Sequence, residues 1–269
     1  MGDLQAILLA AGLGTRLHPF TSHCPKCLMP IQGKPLLEYW LCMLKRANFQ
    51  RVLVNTYAHK SLVRSYLDQD KFATWVSAAP ETELLGTAGT IRANHEWLRG
   101  GAFLMAHADN WCHADIDDFV QFHVEKRPPE SVITMMTFDS ARPESCGIVL
   151  TDEDGVVQEF FEKVKQPPGK RANGAVYLVE PEVSEWIKEN SAVSDFSEQV
   201  LPHFLGRIAT WHNNAIHRDI GTPTSLLSAQ SDPPPQSCWP YFGEWADNFA
   251  QNPVHEMIRH RQEEIFEDG

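Results

Sequence analysis

The chain has 269 residues, 43% of them hydrophobic and 22% charged, enough for one large domain or two small ones that bury about 75% of the surface an unfolded chain exposes. Acidic residues number 35 against 23 basic ones, for a formal net charge of −12; this argues against a broad nucleic-acid-binding face but leaves room for a local basic pocket around one small anion. No run of about 18 apolar residues could cross a bilayer as a helix, and the N-terminal apolar run has no basic leader, so it is not read as a signal peptide.

Leu4 to Ala10 is a short, nearly unbroken apolar run, the pattern of a strand buried on both faces. A long loop punctuated by Gly12, Gly14, Pro19, Pro25, Pro30 and Pro35 follows it. Leu36, Trp40, Leu44 and Ala47 recur at helical spacing. Arg51 to Asn55 reads as a second strand, Ser61 to Leu67 as helix, and Phe72 to Ser77 as a third strand. Thr90 to Leu98 has helical character, and Ala102 to Ala106 is again a short strand. Alternation of this kind predicts an α/β sheet with helices on both faces.

After about residue 130 strands dominate: Val132 to Phe138, Gly147 to Leu150, Val156 to Phe161 and Ala175 to Val179, with Asp154-Gly155 as a hairpin turn. A helix is expected after Pro181 and another from Ser197 to Phe204. Ile208 to Trp211 and Ala215 to His217 read as closing strands. Three consecutive prolines within Ser231 to Pro235 mark a boundary. From Ser231 to the end, eight acidic residues against two basic ones carry half the net charge. Asn252-Pro253 is a helix start, and Val254, Met257, Ile258 and Ile265 form an apolar stripe, expected to pack on its own domain or on a second copy as a homo-oligomer contact. The expected division is residues 1–230, with halves of about 1–130 and 131–230, then a Pro-rich linker and acidic helical tail over 231–269.

The six cysteines, Cys24, Cys27, Cys42, Cys112, Cys146 and Cys238, are too sparse for a disulfide scaffold, so free thiols in a reducing cytoplasm are expected. Cys24 and Cys27 form a C-x-x-C, and His107, Asp109, Cys112 and His113 cluster in sequence. No second cysteine pair stands at zinc spacing.

The informative segment runs from Leu8 to Leu17 and on through Pro25-Lys26 to Pro30. A glycine-rich turn after a buried strand lets backbone N–H groups approach a phosphate without a Cβ in the way. Arg16 and Lys26 add positive charge there, which suits a triphosphate. A dinucleotide fingerprint fails because Leu17 stands at its third glycine, and a P-loop fails because Pro35 follows Gly33-Lys34.

With these residues the sequence resembles the sugar-phosphate nucleotidylyltransferases, or nucleotide-sugar pyrophosphorylases. Their opening signature, L-A-G-G/A-x-G-T-R-L-x-P-x-T and then P-K-x-L-x-P, is matched by Leu9 to Thr21 and Pro25 to Pro30. The likeness continues through Leu85 to Gly89, Asp109, Phe161-Glu162-Lys163, Asn173 to Tyr177 and Asp219 to Pro223, covering roughly residues 4 to 228. It implies a Rossmann-like, mixed but mostly parallel sheet with flanking helices, and a small strand-rich sugar-binding half. Leu85-Gly86-Thr87-Ala88-Gly89 is similar to the segment found in mannose- and heptose-1-phosphate guanylyltransferases, which favours GTP over UTP, CTP or dTTP.

The family reaction joins a nucleoside triphosphate to a sugar 1-phosphate. Its nucleophile is already anionic, so positioning and charge neutralisation carry the catalysis. The resemblance implies that Arg16 meets the departing pyrophosphate and Lys26 the reacting phosphates. Leu9, Ala11, Gly12, Gly14, Thr15, Gly86 and Thr87 would bind the nucleotide. Gly147, Glu162, Lys163 and Asn173 would bind the sugar phosphate, and Asp109 and Asp219 would hold Mg2+. Three departures stand out: Ala108 precedes Asp109 where glycine is usual, Val164 replaces a proline, and Gly174-Ala175 swaps the order of two small residues. A non-catalytic nucleotide-sugar sensor on the same fold is the alternative of another class.

Overall fold

A computed structural model describes residues 4–98 and 100–267, the side chains of 265–267 excepted. In chain order, Gln5–Leu9 (β1) leads through the glycine-rich loop to the small pair Pro30–Ile31 (β2) and Lys34–Pro35 (β3). Leu36–Arg46 (α1), Arg51–Thr56 (β4), Lys60–Leu67 (α2), Val76–Pro80 (β5), Thr87–Ala93 (α3) and Phe103–His107 (β6) alternate. Asn110–Cys112 (β7) precedes Ile116–Gln121 (α4), which runs into a π-helical turn over Phe122–Lys126. Ile133–Asp139 (β8), Gly147–Thr151 (β9), Val157–Glu162 (β10) and Arg171–Val179 (β11) form the strand-rich stretch. Pro181–Glu189 (α5), Leu201–His203 (α6), Ile208–His212 (β12), His217–Asp219 (β13), Pro223–Gln230 (α7), Glu244–Ala250 (α8) and Pro253–Glu267 (α9) complete the chain.

One nine-stranded sheet runs in the order β10-β9-β11-β6-β1-β4-β5, with β8 paired to β11 and β12 to β8. The strands β1, β4, β5 and β6 are mutually parallel, and β11 enters antiparallel beside β6. The nearly unbroken apolar character of β1 now has a cause. Ala6 and Leu8 point into one hydrophobic cluster, built around Trp40, Tyr66 and Trp111, while Ile7 and Leu9 point into another, built around Phe103, Tyr177 and Phe196. A strand with a core on each face favours apolar residues throughout, and its one polar residue, Gln5, is buried with its amide donating to the Leu98 carbonyl at 2.8 Å.

Several expected boundaries move. The third strand begins at Val76, not Phe72, because the chain is still turning there: the Val76 N–H donates to the Phe72 carbonyl at 2.9 Å, and Phe72 drops into the core against Tyr66. The helix expected over Thr90 to Leu98 spans Thr87–Ala93 and then gives way to turns. The segment Ser197 to Phe204 is a π-helical turn, Phe196–Val200, continued by α6. The last strand is His217–Asp219, two residues later than the apolar pattern marks it, because it pairs with β7 and not with the main sheet. Helices α4 and α8 carry no clear periodic signal and escaped the sequence reading.

The expectation of six free thiols is overturned. Cys42 on α1 and Cys238 in the Pro-rich linker form a disulfide across 196 residues, with Cα atoms 5.4 Å apart, and the other four cysteines are free. Sequence spacing holds no trace of this pair, since the tail reaches α1 only in three dimensions. The tail packs on its own domain. Trp239 lies against Phe72 and Trp75, and Trp245 against Tyr66. Val254 and Ile258 are buried in the main core, and α9 rests on α7 and on the Phe20–Ser22 turn. Ile265, the last residue of the expected stripe, lies outside the described side chains. Among the described residues no helix is long and apolar enough to cross a membrane.

Candidate functional site

The parallel strands β1, β4 and β6 end side by side, with Leu9 level with Asn55 and with His107. Open α/β sheets bind ligands at such carboxyl ends. The glycine-rich loop leaves β1 there. A cavity of about 240 Å3 opens beneath it, lined by Leu9, Ala11, Gly12, Asn55, Glu81, Leu84, Gly86, Thr87, Thr90, His107 and Asp109. A larger depression of about 550 Å3 between α9 and the His18–Phe20 turn shares none of these residues.

Beside the cavity lies a cluster of opposite charges. Lys26 Nζ donates to Asp219 Oδ1 at 2.6 Å and lies 3.1 Å from Asp109 Oδ2. Arg16 donates to the other Asp219 oxygen at 3.2 Å. Lys26 comes from a 3-10 turn, Lys26–Leu28, that is buried in full. Burial works to lower the Lys26 pKa, but the carboxylates of Asp109 and Asp219 outweigh it and hold the ammonium above its ordinary value. Burial likewise works to raise Asp219, and Lys26 and Arg16 overcome it and hold the carboxyl below the usual range. Both residues therefore stay charged at neutral pH. Asp219 is not a helix N-cap. That role belongs to Thr222, which forms a capping box with Ser225 at the start of α7. Next to Asp219, Arg218 is held by Asp232 at the head of the linker, so one acidic residue of the tail fixes β13 in place.

Of the expected nucleotide contacts, Leu9, Ala11, Gly12, Gly86 and Thr87 line the cavity. Gly14 stands just beyond, with its carbonyl accepting the Thr21 hydroxyl at 3.1 Å, and Thr15 is exposed. Gly86 sits at φ +77°, and a Cβ there would lie 2.4 Å from the Ser194 carbonyl oxygen, so only glycine fits. The Ala88 N–H donates to the same carbonyl at 2.9 Å, and the Thr87 hydroxyl accepts from the Phe196 N–H at 2.6 Å. The segment over 194–196 thus buttresses the cavity wall. Sequence reasoning did not place Asn55, Glu81, Thr90 or His107 at this cavity.

The residues expected at the sugar phosphate form a second group. Gly147 and Glu162 are opposite each other across the β9–β10 pair, and a Cβ on Gly147 would lie 2.6 Å from both Glu162 Oε2 and the Phe160 ring. Glu162 holds Lys163 Nζ at 2.7 Å, and this hydrogen bond raises the lysine pKa while the Arg16 charge works against it. The Arg16 and Lys163 charges are thus near enough to oppose each other. Lys163 takes a left-handed backbone, φ +49°. A proline at 164 would confine Lys163 to extended conformations, so Val164 permits this turn. Asn173 donates to the Tyr177 hydroxyl at 2.6 Å and accepts the Ala175 N–H at 2.9 Å. Gly174 has a local reason, since a Cβ there would lie 3.0 Å from the Met136 carbonyl oxygen; Ala175 takes a left-handed backbone at φ +53°, which glycine would hold with less strain.

Among the described residues no three His, Cys, Asp or Glu side chains converge as a self-sufficient metal centre. Asp109 and Asp219 nevertheless reach a single ammonium together. Two hard carboxylate oxygens around one cation are the donor set Mg2+ uses when phosphates and water complete its shell.

A mixed, mostly parallel sheet with a glycine-rich loop and a charged crevice at its carboxyl edge defines a protein of the nucleotide-binding α/β class. The nucleotidyl transferase family model matches residues 5–234, and the chain belongs to that family. It is 28% identical over 272 residues to a mannose-1-phosphate guanylyltransferase of Mycobacterium tuberculosis, covering 99% of this chain and 71% of that protein. It is 30% identical over 198 residues to a UTP–glucose-1-phosphate uridylyltransferase of Synechocystis, covering 68% of this chain and 51% of that one. In three dimensions it superposes on a candidate glucose-1-phosphate thymidylyltransferase from Bacillus anthracis with a TM-score of 0.77 at 22% identity, over 91% of this chain and 99% of that one. This likeness establishes the shared fold.

Proposed function

We propose that the protein transfers a nucleoside monophosphate from GTP to a sugar 1-phosphate of mannose or heptose type, releasing pyrophosphate. The observation that carries this reading is the convergence of Lys26 and Arg16 on Asp219, with Asp109 beside them, at the edge of a cavity walled by the glycine-rich loop. The preference for guanine rests on the Leu85 to Gly89 segment and on the guanylyltransferase relative matched over nearly the whole chain. UTP with glucose 1-phosphate is the second reading, favoured by the Synechocystis relative.

In this reading an oxygen of the sugar phosphate attacks the α-phosphorus of the triphosphate. One P–O bond forms, the bond to the β-phosphate breaks, and pyrophosphate leaves with its electron pair. The attacking oxygen is already an anion, so no general base is needed and the barrier is mainly electrostatic. Backbone N–H groups of the Ala11 to Thr15 loop orient the triphosphate. Lys26 exchanges its carboxylate partners for the α-phosphate oxygens, Arg16 neutralises the leaving pyrophosphate, and Lys163 holds the sugar phosphate. Asp109 and Asp219 would hold Mg2+, which when bound offsets the phosphates' negative charge.

The test is pyrophosphate release with Mg2+ across four nucleoside triphosphates and a panel of sugar 1-phosphates. Release confined to GTP with a mannose- or heptose-type substrate is the expected result. Release with UTP and glucose 1-phosphate alone would replace this reading with the second, and none with any pair, despite measurable nucleotide binding, would favour a sensor.

A further inference from the structure

Two walls of the cavity come from distant parts of the chain. The phosphate loop begins at Ala10, just past β1, and the opposite wall is the Gly86-Thr87 turn that opens α3. A buried polar unit joins them. The Asn55 side-chain carbonyl accepts the Ala10 N–H at 2.6 Å. Its amide group donates to Glu81 Oε1 at 2.9 Å and to the Thr90 hydroxyl oxygen at 3.1 Å. The Thr90 hydroxyl in turn donates to Glu81 Oε1 at 2.6 Å, and the Thr90 N–H donates to the Gly86 carbonyl at 2.9 Å. Asn55, Thr90 and Glu81 are 2%, 1% and 7% exposed.

Every polar hydrogen of the Asn55 side chain is used, and its amide has one workable orientation. Such a unit is costly to disturb, because any unpaired member is left without water. It also has a direction: an acceptor toward the phosphate loop and donors toward Glu81. The apolar alternative, a valine or leucine at the end of β4, would complete the core as well but would leave the Ala10 N–H unpaired and the two walls unconnected.

We propose that Asn55, acting through Glu81 and Thr90, is a positioning residue that sets the phosphate loop against the Gly86-Thr87 wall at the spacing the nucleoside triphosphate requires. This rests on the reading of the cavity as the nucleotide site. Asn55 touches no reacting atom in this scheme; its effect reaches the substrate through the Ala10 to Thr15 backbone.

The experiment uses the full chain with Asn55→Asp, Glu81→Gln and the Asn55→Asp/Glu81→Gln double variant. Asn55→Asp keeps an acceptor for the Ala10 N–H but sets two carboxylates face to face. The double variant reverses the polarity without changing net charge. The amide introduced at position 81 then donates to the carboxylate introduced at position 55 and to the Thr90 oxygen, and the Thr90 hydroxyl rotates to donate to that same carboxylate. Two readouts are taken: KM for each substrate of the pair that the wild type turns over, and amide hydrogen exchange over residues 8–15, which needs no substrate. The expected result is a nucleotide KM raised at least about tenfold in Asn55→Asp, a sugar 1-phosphate KM within about twofold of wild type, faster exchange over 8–15, and recovery of most of both changes in the double variant. A general structural defect would raise both KM values together and would overturn the proposal. So would a double variant no better than Asn55→Asp alone. If the wild type turns over no pair, the proposed reaction fails by itself; the exchange readout then stands alone, and absent recovery there overturns the positioning role.

Discussion

Lys26 and Asp219 are 193 residues apart in sequence and 2.6 Å apart in space. Their contact closes the charged crevice, because Asp109 reaches the same ammonium and Arg16 the same carboxylate. An arrangement of two cations on two anions is balanced by itself and ready to be rearranged by a ligand that is polyanionic. Lys26→Ala should lower turnover by about 100-fold or more, the scale seen when one preorganised charge donor is removed from a transition state. It should also leave Asp109 and Asp219 facing each other without the ammonium. Mg2+ should then raise the melting temperature of the variant by more than that of the wild type. Equal Mg2+ shifts in the two proteins would show that the aspartates do not share a cation.

Gly86 is the position where a single methyl group is least tolerable. Gly86→Ala adds a Cβ 2.4 Å from the Ser194 oxygen at a backbone angle of φ +77°. Strain and overpacking of this kind cost about 2–4 kcal/mol. Because Gly86 lies in the cavity wall, the nucleotide KM should rise along with the loss of stability. Denaturant unfolding at constant m checks the first effect and steady-state kinetics the second. A variant as stable as the wild type would mean that the Ser194 segment moves aside freely.

The Cys42–Cys238 disulfide ties the tail to α1 across 196 residues. In the chain-entropy account a loop of that length contributes up to about 5 kcal/mol, with less in practice where the reduced state keeps structure. A dithiol reductant should therefore lower the melting temperature and expose the segment over 236–250 to protease. Cys42→Ser should show the lower value with or without reductant. Alkylation of the unfolded chain should find four thiols before reduction and six after it. Six thiols before reduction would remove the bond from the account.

His123, a residue of the π-helical turn, is buried and bonded through Nδ1 to the Thr134 hydroxyl at 2.7 Å. Burial and the nearby Arg127 charge push its pKa down to about 3. Glu180, 3.3 Å from Nε2, does not reverse this because Arg127 already engages the same carboxylate oxygen. A histidine with a folded pKa below its unfolded value of about 6.5 stabilises the fold above pH 6.5. That contribution is lost as pH falls from about 6.5 toward 3, at up to about 1.4 kcal/mol per pH unit. His123→Gln should flatten the stability profile across that window. Parallel profiles for the two proteins would assign the acid sensitivity to other groups.

Much of the fold was legible because apolar runs report burial directly. β1, β4 and β6 read as strands since each is covered on both faces. The boundaries that moved did so where tertiary contacts overrode the local pattern. Phe72 looks like a strand residue yet serves as a core plug at a turn, and His217–Asp219 is short and polar because β7 is its only pairing partner in the small sheet. In the candidate site, the glycine-rich loop with Arg16 and Lys26 stood out through residue type and spacing, and Asp109 and Asp219 through the resemblance of their segments to the family's. Asn55, Glu81 and Thr90 did not, since a buried asparagine or threonine has no sequence pattern that separates it from any other strand-end or helix residue.

The sequence by itself determined the α/β class, the glycine-rich loop and the inventory of charges, because hydrophobic periodicity and residue type are local properties. Tertiary structure alone decided which charges meet, which cysteines pair, and which polar side chains join the two walls of the cavity. Lys26 finds Asp219, Cys42 finds Cys238, and Asn55 finds both Ala10 and Glu81 only once the parallel strands are in register. Distances of a few ångströms between residues far apart in the chain are set by the packing of the sheet and carry no signature in the order of residues.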